Sequence, residues 1–186
     1  MNLKMEIEQY IPYNPQEAKE QEVILKYMNS FENLLTRENE FAHFTASAWI
    51  VNPERTKVLM AYHNIYQSWS WIGGHADGNA NLLEVALKET TEETGLMNIS
   101  PLANTIYSLE ILSVPSHMKK GIPIATHLHL NITYLIEANE TEQTMVNEDE
   151  NSAIKWMKLE EAVEACTEPE MKIIYEKLND KLKNYK

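Results

Sequence analysis

The chain has 186 residues, 44% of them hydrophobic and 24% charged, which suits one sizeable core better than two complete domains. Its formal net charge is −12 and arginine occurs only twice, so the sequence lacks the basic stripe with which proteins bind a nucleic-acid polymer. A single cysteine excludes a disulfide framework, and the absence of both a signal-peptide core and an apolar run of roughly 18 residues leads us to expect a cytoplasmic protein that does not enter a membrane.

The first predicted element is a long amphipathic helix that begins at Asn14-Pro15, a typical helix start, and continues to Arg37. Its apolar residues recur at spacings of three and four and form one stripe: Val23, Ile24, Tyr27, Met28, Phe31, Leu34 and Leu35. We expect residues 1–40 to be a helical extension packed on the core and residues 41–186 to be the main domain. The stripe either caps the core or pairs with a second copy of the chain, which would make a homodimer.

A strand, a turn and a second strand follow this helix. Residues 43–51 are rich in aromatic and β-branched side chains, residues 52–56 have turn composition, and residues 57–63 return as a strand. Further elements are predicted at 105–114, 126–136 and 153–158 (strands) and at 82–94 and 169–185 (helices). Strands interspersed with helices in one chain predict an α/β sandwich.

The most informative stretch is a glycine-rich turn, GGHADG at residues 73–78, followed closely by the helix at 82–94. Asn81 is a good N-cap residue for this helix, and Gly95 stands where a helix normally ends. Helical spacing places a packing face against the sheet, made of Leu83, Ala86, Leu87, Thr90 and Thr94. Glycines at 73, 74 and 78 allow the backbone to approach a bound group closely.

Three glutamates, Glu89, Glu92 and Glu93, project from an adjacent face of this helix. Carboxylates at helical spacing repel one another unless a cation compensates them, and Lys88 is placed to pair with Glu92. Magnesium takes oxygen ligands and keeps waters that exchange with phosphate oxygens, so we predict a magnesium site here. The alternative is a solvated acidic helix surface with no ligand.

Residues 73–96 resemble the Nudix hydrolase box, G-x5-E-x7-R-E-U-x-E-E-x-G-U, where U is apolar. The resemblance implies a Nudix-like α/β/α sandwich with a mixed sheet, and glutamates that bind Mg²⁺ or Mn²⁺. It also implies hydrolysis of a pyrophosphate bond in a small molecule, a nucleoside diphosphate linked to another group. Aligned from Gly74, the matching positions are Glu89, Glu92, Glu93, Gly95 and Leu96. HFTASAWIV and GGHADG resemble a bacterial branch whose members are mostly known only as Nudix hydrolases.

The chain departs from the pattern at four positions. Ala80 replaces a glutamate, Lys88 the arginine, Thr90 an apolar residue, and Ile72 a proline that often precedes the glycines. These departures favour an alternative, a nucleotide-binding or regulatory module of the same fold with weak or no turnover. A third possibility, an isomerase of isoprenoid diphosphates, needs a cysteine early in the chain, and Cys166 is a poor candidate.

Other site residues follow from the resemblance and from strand patterns. Family members often place a further glutamate several residues before an aromatic; Glu150 fits that place and Glu148 is the alternative, so the base is either Glu89 or Glu150. The alternation in residues 127–133 predicts a polar strand face, which is either a cleft floor or a partly solvated surface. The complete prediction assigns Glu89, Glu92, Glu93 and Glu150 to catalysis; Glu89, Glu92, Glu93 and Gly74 to the metal; His75, His127, His129, Lys119 and Trp71 to the substrate; and Gly73, Gly78, Lys88 and Gly95 to the structure of the box.

Overall fold

The computed structural model describes residues 2–119, 121–149 and 151–185. The described residues form five helices: α1 (Leu3–Gln9), α2 (Pro15–Ser30), α3 (Leu82–Thr94), α4 (Leu159–Ala165) and α5 (Pro169–Lys183). They also form ten strands: β1 (Ala42–Val51), β2 (Lys57–His63), β3 (Ser68–Ser70), β4 (Ile72–His75), β5 (Ile99–Pro101), β6 (Ser108–Val114), β7 (His117–Lys119), β8 (Ile122–Ile124), β9 (His127–Ala138) and β10 (Asn151–Lys158).

Eight of the strands form one mixed sheet, with β10, β2, β1, β9 and β5 in that order along its main path. At its centre β1 and β9 run parallel, from the Ala42–Leu128 pair to the Val51–Glu137 pair. The neighbouring strands pair antiparallel, with β3 on β2, β4 on β1 and β6 on β9, while β7 and β8 form a separate two-stranded sheet. This mixture confirms the predicted mixed sheet.

Every residue of β1 is buried, which shows that both faces of the sheet are covered. Alternate β1 residues such as Phe44 and Ala46 pack in one core with Leu82 and Ala86 of α3. On the other face Trp49 packs in a second core with residues of α5, and its ring lies 5.2 Å from that of Tyr175. The structure therefore confirms the predicted α/β/α sandwich. Among the described residues, no helix has the length and apolar character needed to span a membrane.

The N-terminal region differs from its prediction. The helix that begins after Asn14 ends at Ser30 rather than near Arg37, and α1, which the sequence analysis missed, precedes it. The next segment is extended at Phe31, and the carbonyl of Leu34 accepts a 2.7 Å hydrogen bond from the Phe44 amide at the start of β1. This backbone bond to β1 takes the place of a further helical turn.

Buried charges join α2 to the sheet and to α5. Glu17 is fully buried, and its Oε1 lies 2.8 Å from the Lys177 ammonium and 3.3 Å from that of Lys181. Lys177 also contacts Glu110 of β6 at 2.8 Å. The Tyr10 hydroxyl donates to Glu17 Oε2 at 2.6 Å. Burial acts to raise the pKa of Glu17, but Lys177 and these hydrogen bonds outweigh it and lower the pKa to about 2.

We expect Glu17→Gln to lower the free energy of unfolding by about 3 kcal/mol at neutral pH, because it leaves buried ammonium charges without one partner. The pKa of Glu17 in the folded chain lies below its ordinary value, so this stabilisation is complete above about pH 5 and is lost as the pH falls towards 2. Urea unfolding of both proteins between pH 7 and pH 3 measures the effect.

The matched control is Glu22→Gln on the same helix, which removes only solvent-exposed pairs with Lys19 and Lys26. We expect this change to leave the unfolding midpoint unaltered. Equal destabilisation by the two substitutions, or a Glu17→Gln effect that grows towards pH 3, would contradict the role given to Glu17.

Candidate active site

Glu93, in the last turn of α3, is clamped between β4 and β10. The residue is only 5% exposed. Its Oε1 accepts a hydrogen bond from the Gly73 amide at 3.2 Å, and its Oε2 accepts one from Asn151 Nδ2 at 2.7 Å. These donors offset the cost of burying a carboxylate. These two hydrogen bonds attach the end of α3 to β4 and to β10.

Glu93 lies on the buried face of α3, so the prediction that it projects from an adjacent face is wrong. The buried residues of α3 are Leu82, Val85, Ala86, Thr90, Glu93 and Thr94. Leu83 and Leu87, predicted to pack on the sheet, do pack against the core beneath α3 but are only half-buried. Glu93 is buried, unlike in the prediction, because amide donors on β4 and β10 form hydrogen bonds with its carboxylate.

Glu89 lies directly over the backbone of Gly74. A Cβ atom at Gly74 would be 2.4 Å from Glu89 Cδ and 2.7 Å from its Oε2, so only glycine allows this approach. The Glu89 side chain is 18% exposed, which leaves it at the edge of the core and within reach of solvent. Gly74 pairs with Ala46 of β1, on the sheet face that α3 covers.

Glu92 points outward and shares a cation with Glu89. The Lys88 ammonium lies 2.9 Å from Glu92 Oε2 and 3.6 Å from Glu89 Oε1. The hydrogen bond to Glu92 raises the pKa of Lys88, and the charge of Glu89 adds to that effect. The predicted pair between Lys88 and Glu92 is therefore present, in the place where the family pattern has arginine.

The ends of the box have the predicted geometry. The Asn81 side chain accepts a hydrogen bond from the Glu84 amide, and α3 begins at the next residue after Asn81. Gly95 ends the helix in the left-handed conformation, with φ 72°. Gly78 also has positive φ, 93°, and its amide donates to the Leu35 carbonyl at 2.8 Å.

The described residues of this site fit a hard divalent cation. Glu89 and Glu92 already direct oxygens to one positive charge, and the bare backbone of Gly74 lies against the first of them. Oxygen donors of this kind are the ligands that Mg²⁺ and Mn²⁺ prefer. The arrangement can therefore hold a metal ion at the solvent edge of α3.

The predicted substrate residues lie on the opposite face of the sheet from Glu89. His75 pairs with Thr45 of β1, and His129 pairs with His43, so these side chains share one face. Lys119 is close enough that its charge acts on the pKa of His75. Trp71 lies further along this side, where its ring meets that of Tyr175 edge-on at 5.5 Å.

The inner part of this polar face is buried, so it is neither a partly solvated strand surface nor the floor of an open cleft there. Asn131 is 1% exposed, and its Oδ1 accepts hydrogen bonds from the hydroxyls of Thr45 (2.9 Å) and Ser47 (2.8 Å). Its Nδ2 donates to Glu110 Oε2 at 3.2 Å. The face is thus a connected polar layer inside the sandwich.

The remaining candidates are placed as follows. Glu150 lies outside the described residues, and its alternative, Glu148, is exposed. Cys166 is buried, with Sγ 3.5 Å from the Ser68 hydroxyl, within the core beside α5. A buried thiol in that core is unsuited to the isomerase chemistry considered for it.

The family model for the NUDIX domain matches residues 42–178, which include β1, the glycine turn, α3 and most of α5. The chain belongs to the Nudix family. This membership confirms the expectation of a Nudix fold, and it agrees with a hydrolase of that family.

Individual relatives are more distant. The chain is 33% identical over 112 residues to the m7GpppN-mRNA hydrolase NUDT17 of Xenopus laevis; the match covers 57% of this chain and 36% of that protein. Among solved structures, it is similar to a C. elegans Ap4A hydrolase (TM-score 0.54, 18% identity, 76% of this chain and 98% of that one). It is also similar to the E. coli dihydroneopterin triphosphate pyrophosphohydrolase (TM-score 0.53, 14% identity, 72% and 92%). At these identities the structures show a shared fold.

Asn151 is a residue of the Nudix site that sequence reasoning missed. It begins β10, is 1% exposed, and donates to Glu93. Nothing in the periodicity of the sequence indicates this contact, because it depends on how β10 lies relative to α3. The only signal was an amide side chain next to the acidic loop that precedes the strand.

We expect Asn151→Ala to lower the free energy of unfolding by about 2 kcal/mol, because a buried carboxylate loses a charge-assisted hydrogen bond. Asn64→Ala is the control: its Nδ2 makes a 3.4 Å contact with the Glu148 carbonyl at an exposed position, and we expect a change within about 0.5 kcal/mol. Chemical denaturation measures both. Equal stability of the two variants would show that the hydrogen bond from Asn151 to Glu93 does not stabilise the fold.

Proposed function

We propose that the chain is a divalent-metal-dependent pyrophosphohydrolase that acts on a small nucleoside diphosphate derivative. The observation that carries this proposal is the arrangement of Glu89 over Gly74 with Glu92 beside it, within a chain that belongs to the Nudix family. Glu89, Glu92, Glu93 and the Gly74 carbonyl are the proposed ligands of Mg²⁺ or Mn²⁺. When bound, such an ion neutralises charge on phosphate oxygens and makes a coordinated water more acidic.

The protein's own groups have separate roles in this proposal. Glu89 or Glu150 accepts the proton of the water that attacks phosphorus. Both carboxylate oxygens of Glu93 accept hydrogen bonds, one from the Gly73 amide and one from Asn151. These bonds hold α3 in a fixed position relative to β4. Lys88 balances part of the negative charge and orients Glu92.

The predicted substrate residues are kept as a proposal, although they lie on the face of β4 that is turned away from Glu89 and from the proposed metal ligands. We assign His75, His127, His129 and Lys119 to a phosphate chain and Trp71 to a base. The Xenopus laevis relative is named as a hydrolase of m7GpppN-mRNA, which is a capped RNA and not a small molecule. The net charge of −12 argues for a small molecule over a nucleic-acid polymer.

We further propose a cytoplasmic protein of the bacterial branch that forms a homodimer, with residues 1–40 as an extension on the Nudix domain. Ile24 and Leu34 of that extension are buried in the core of the same chain. The single cysteine, which is free and buried, supports a reducing compartment. Screening nucleoside diphosphate sugars, dinucleoside polyphosphates, oxidised nucleotides and capped RNA with Mg²⁺ or Mn²⁺ identifies the substrate.

Glu93→Gln and Glu92→Gln test the chemistry. We expect each to lower metal-dependent hydrolysis by about 100-fold or more, because a ligand charge is lost. Glu92→Gln should keep wild-type stability, whereas Glu93→Gln should also lose about 2 kcal/mol, because a glutamine amide cannot accept from both Gly73 and Asn151. Glu84→Gln, at an exposed position in the first turn of the same helix, should keep full activity.

An active Glu93→Gln protein would count heavily against the proposal. Tight binding of nucleoside diphosphate derivatives by the wild-type chain, with no cleavage over hours, would instead support the regulatory module.

Gly74→Ala tests the contact beneath Glu89. The new Cβ would overlap the Glu89 carboxyl group, which can move because it is the end of a flexible side chain. We therefore expect a fall in kcat of about 10- to 100-fold with little loss of stability. Gly78→Ala has open space around its Cβ and only an unfavourable φ, so it should lose about 1 kcal/mol of stability and keep its activity. Unchanged kcat in Gly74→Ala would show that Glu89 does not need this position.

A further inference from the structure

Four histidines converge on the face of the sheet that lies away from α3. They are contributed by β1 (His43), β4 (His75) and β9 (His127 and His129). Neighbouring ring centroids are 4.8 to 5.1 Å apart. One nitrogen from each of His43, His75 and His129 lies within 4.8 Å of the others, and no other group of three potential ligands among the described residues is as close.

Backbone carbonyls fix the tautomers of two of these rings. His43 Nδ1 lies 3.0 Å from the Asn39 carbonyl and His127 Nδ1 lies 2.8 Å from the Ala125 carbonyl. A carbonyl oxygen only accepts, so both Nδ1 atoms carry the proton and both Nε2 atoms keep a lone pair. Metal-binding histidines are oriented by the same kind of carbonyl contact.

The free lone pair of His43 is the decisive feature. His43 is 5% exposed, and its Nε2 is buried without a hydrogen-bond partner among the described residues. A buried acceptor with no donor costs about 1–3 kcal/mol unless something satisfies it. His127 Nε2 and His129 Nε2 lie 3.2 Å apart and form a hydrogen bond, in which His129 donates if His127 keeps its lone pair, so the fourth ring is in direct contact with the group of three.

Burial of the rings favours their neutral form, which is the form that metals bind. Burial is the main cause of the lowered pKa of His43 and of His129.

We propose that His43, His75 and His129 bind a divalent transition metal of the zinc class, with His127 as the adjacent fourth imidazole. Neutral nitrogen donors select Zn²⁺, Co²⁺ or Ni²⁺ and not Mg²⁺. The site is separate from the glutamates of α3, because Gly74 faces Glu89 while the next residue, His75, points to the other side of β4. It uses His75 and His129, which are assigned above to a phosphate chain, so zinc and a phosphate chain are alternative occupants of this face, whereas the ion on α3 is a separate one.

Zinc binding to the full, untagged chain is the direct test. After chelator treatment, we expect competition with a chromophoric chelator to give one Zn²⁺ per chain, bound tighter than about 1 µM in the presence of millimolar Mg²⁺. Binding should also raise the melting temperature. Co²⁺ should give the intense visible absorption of a tetrahedral nitrogen site.

Variants assign the ligands. His129→Gln should weaken zinc binding at least about 100-fold. His117→Ala is the matched control, since His117 lies in the β7–β8 hairpin with its ring 6.4 Å from that of His127 and outside the group of three, and it should bind zinc as the wild type does. The double variant Glu89→Gln/Glu92→Gln should also keep its zinc affinity.

Several results would overturn the proposal: no stoichiometric zinc on the wild-type chain, displacement of zinc by Mg²⁺, an octahedral Co²⁺ spectrum, or loss of zinc from the glutamate double variant. If His129→Gln does not fold, the wild-type stoichiometry and the Co²⁺ spectrum still decide the question.

Discussion

The Glu93 carboxylate is the interaction on which the geometry of the acidic helix depends. It is buried at the end of α3 and accepts hydrogen bonds from the backbone of the glycine strand and from β10. A buried charge with directional donors tolerates little rotation, so it fixes both the position and the roll of the helix. Four residues earlier, Glu89 is thereby held over Gly74, and Glu92 is turned to Lys88 at the surface.

The sheet separates two kinds of polar chemistry. On the α3 side, oxygens gather at a solvent edge, as a hard cation requires. On the other side a buried layer runs from the histidines through Asn131 to Glu110 and Lys177. Glu17 brings α2 into that layer, so the N-terminal helices contribute to the same network as the centre of the sheet. The two sites are one residue apart along β4, because Gly74 faces the first site and His75 faces the second.

Local chemistry made part of this structure predictable from the sequence. The limits of α3 follow from the Asn81 cap and Gly95, and β1 and β2 follow from β-branched runs on either side of a turn. The end of α2 was not predictable, because the apolar stripe continues beyond Ser30 and a bond from Phe44 to Leu34 decides the conformation. The burial of Glu93 and the meeting of His43, His75 and His129 depend on strand register across β1, β4 and β9, which periodicity does not contain.

The central claim is that the α3 glutamates hold the metal that serves hydrolysis. Crystals of the chain grown with Mn²⁺, with diffraction data collected at the manganese absorption edge, test it directly. The account predicts an anomalous peak bounded by the Glu89 and Glu92 carboxylates and the Gly74 carbonyl, with Lys88 displaced from between the two side chains. A map in which Glu92 stays paired with Lys88 and manganese is found only away from α3 would contradict it.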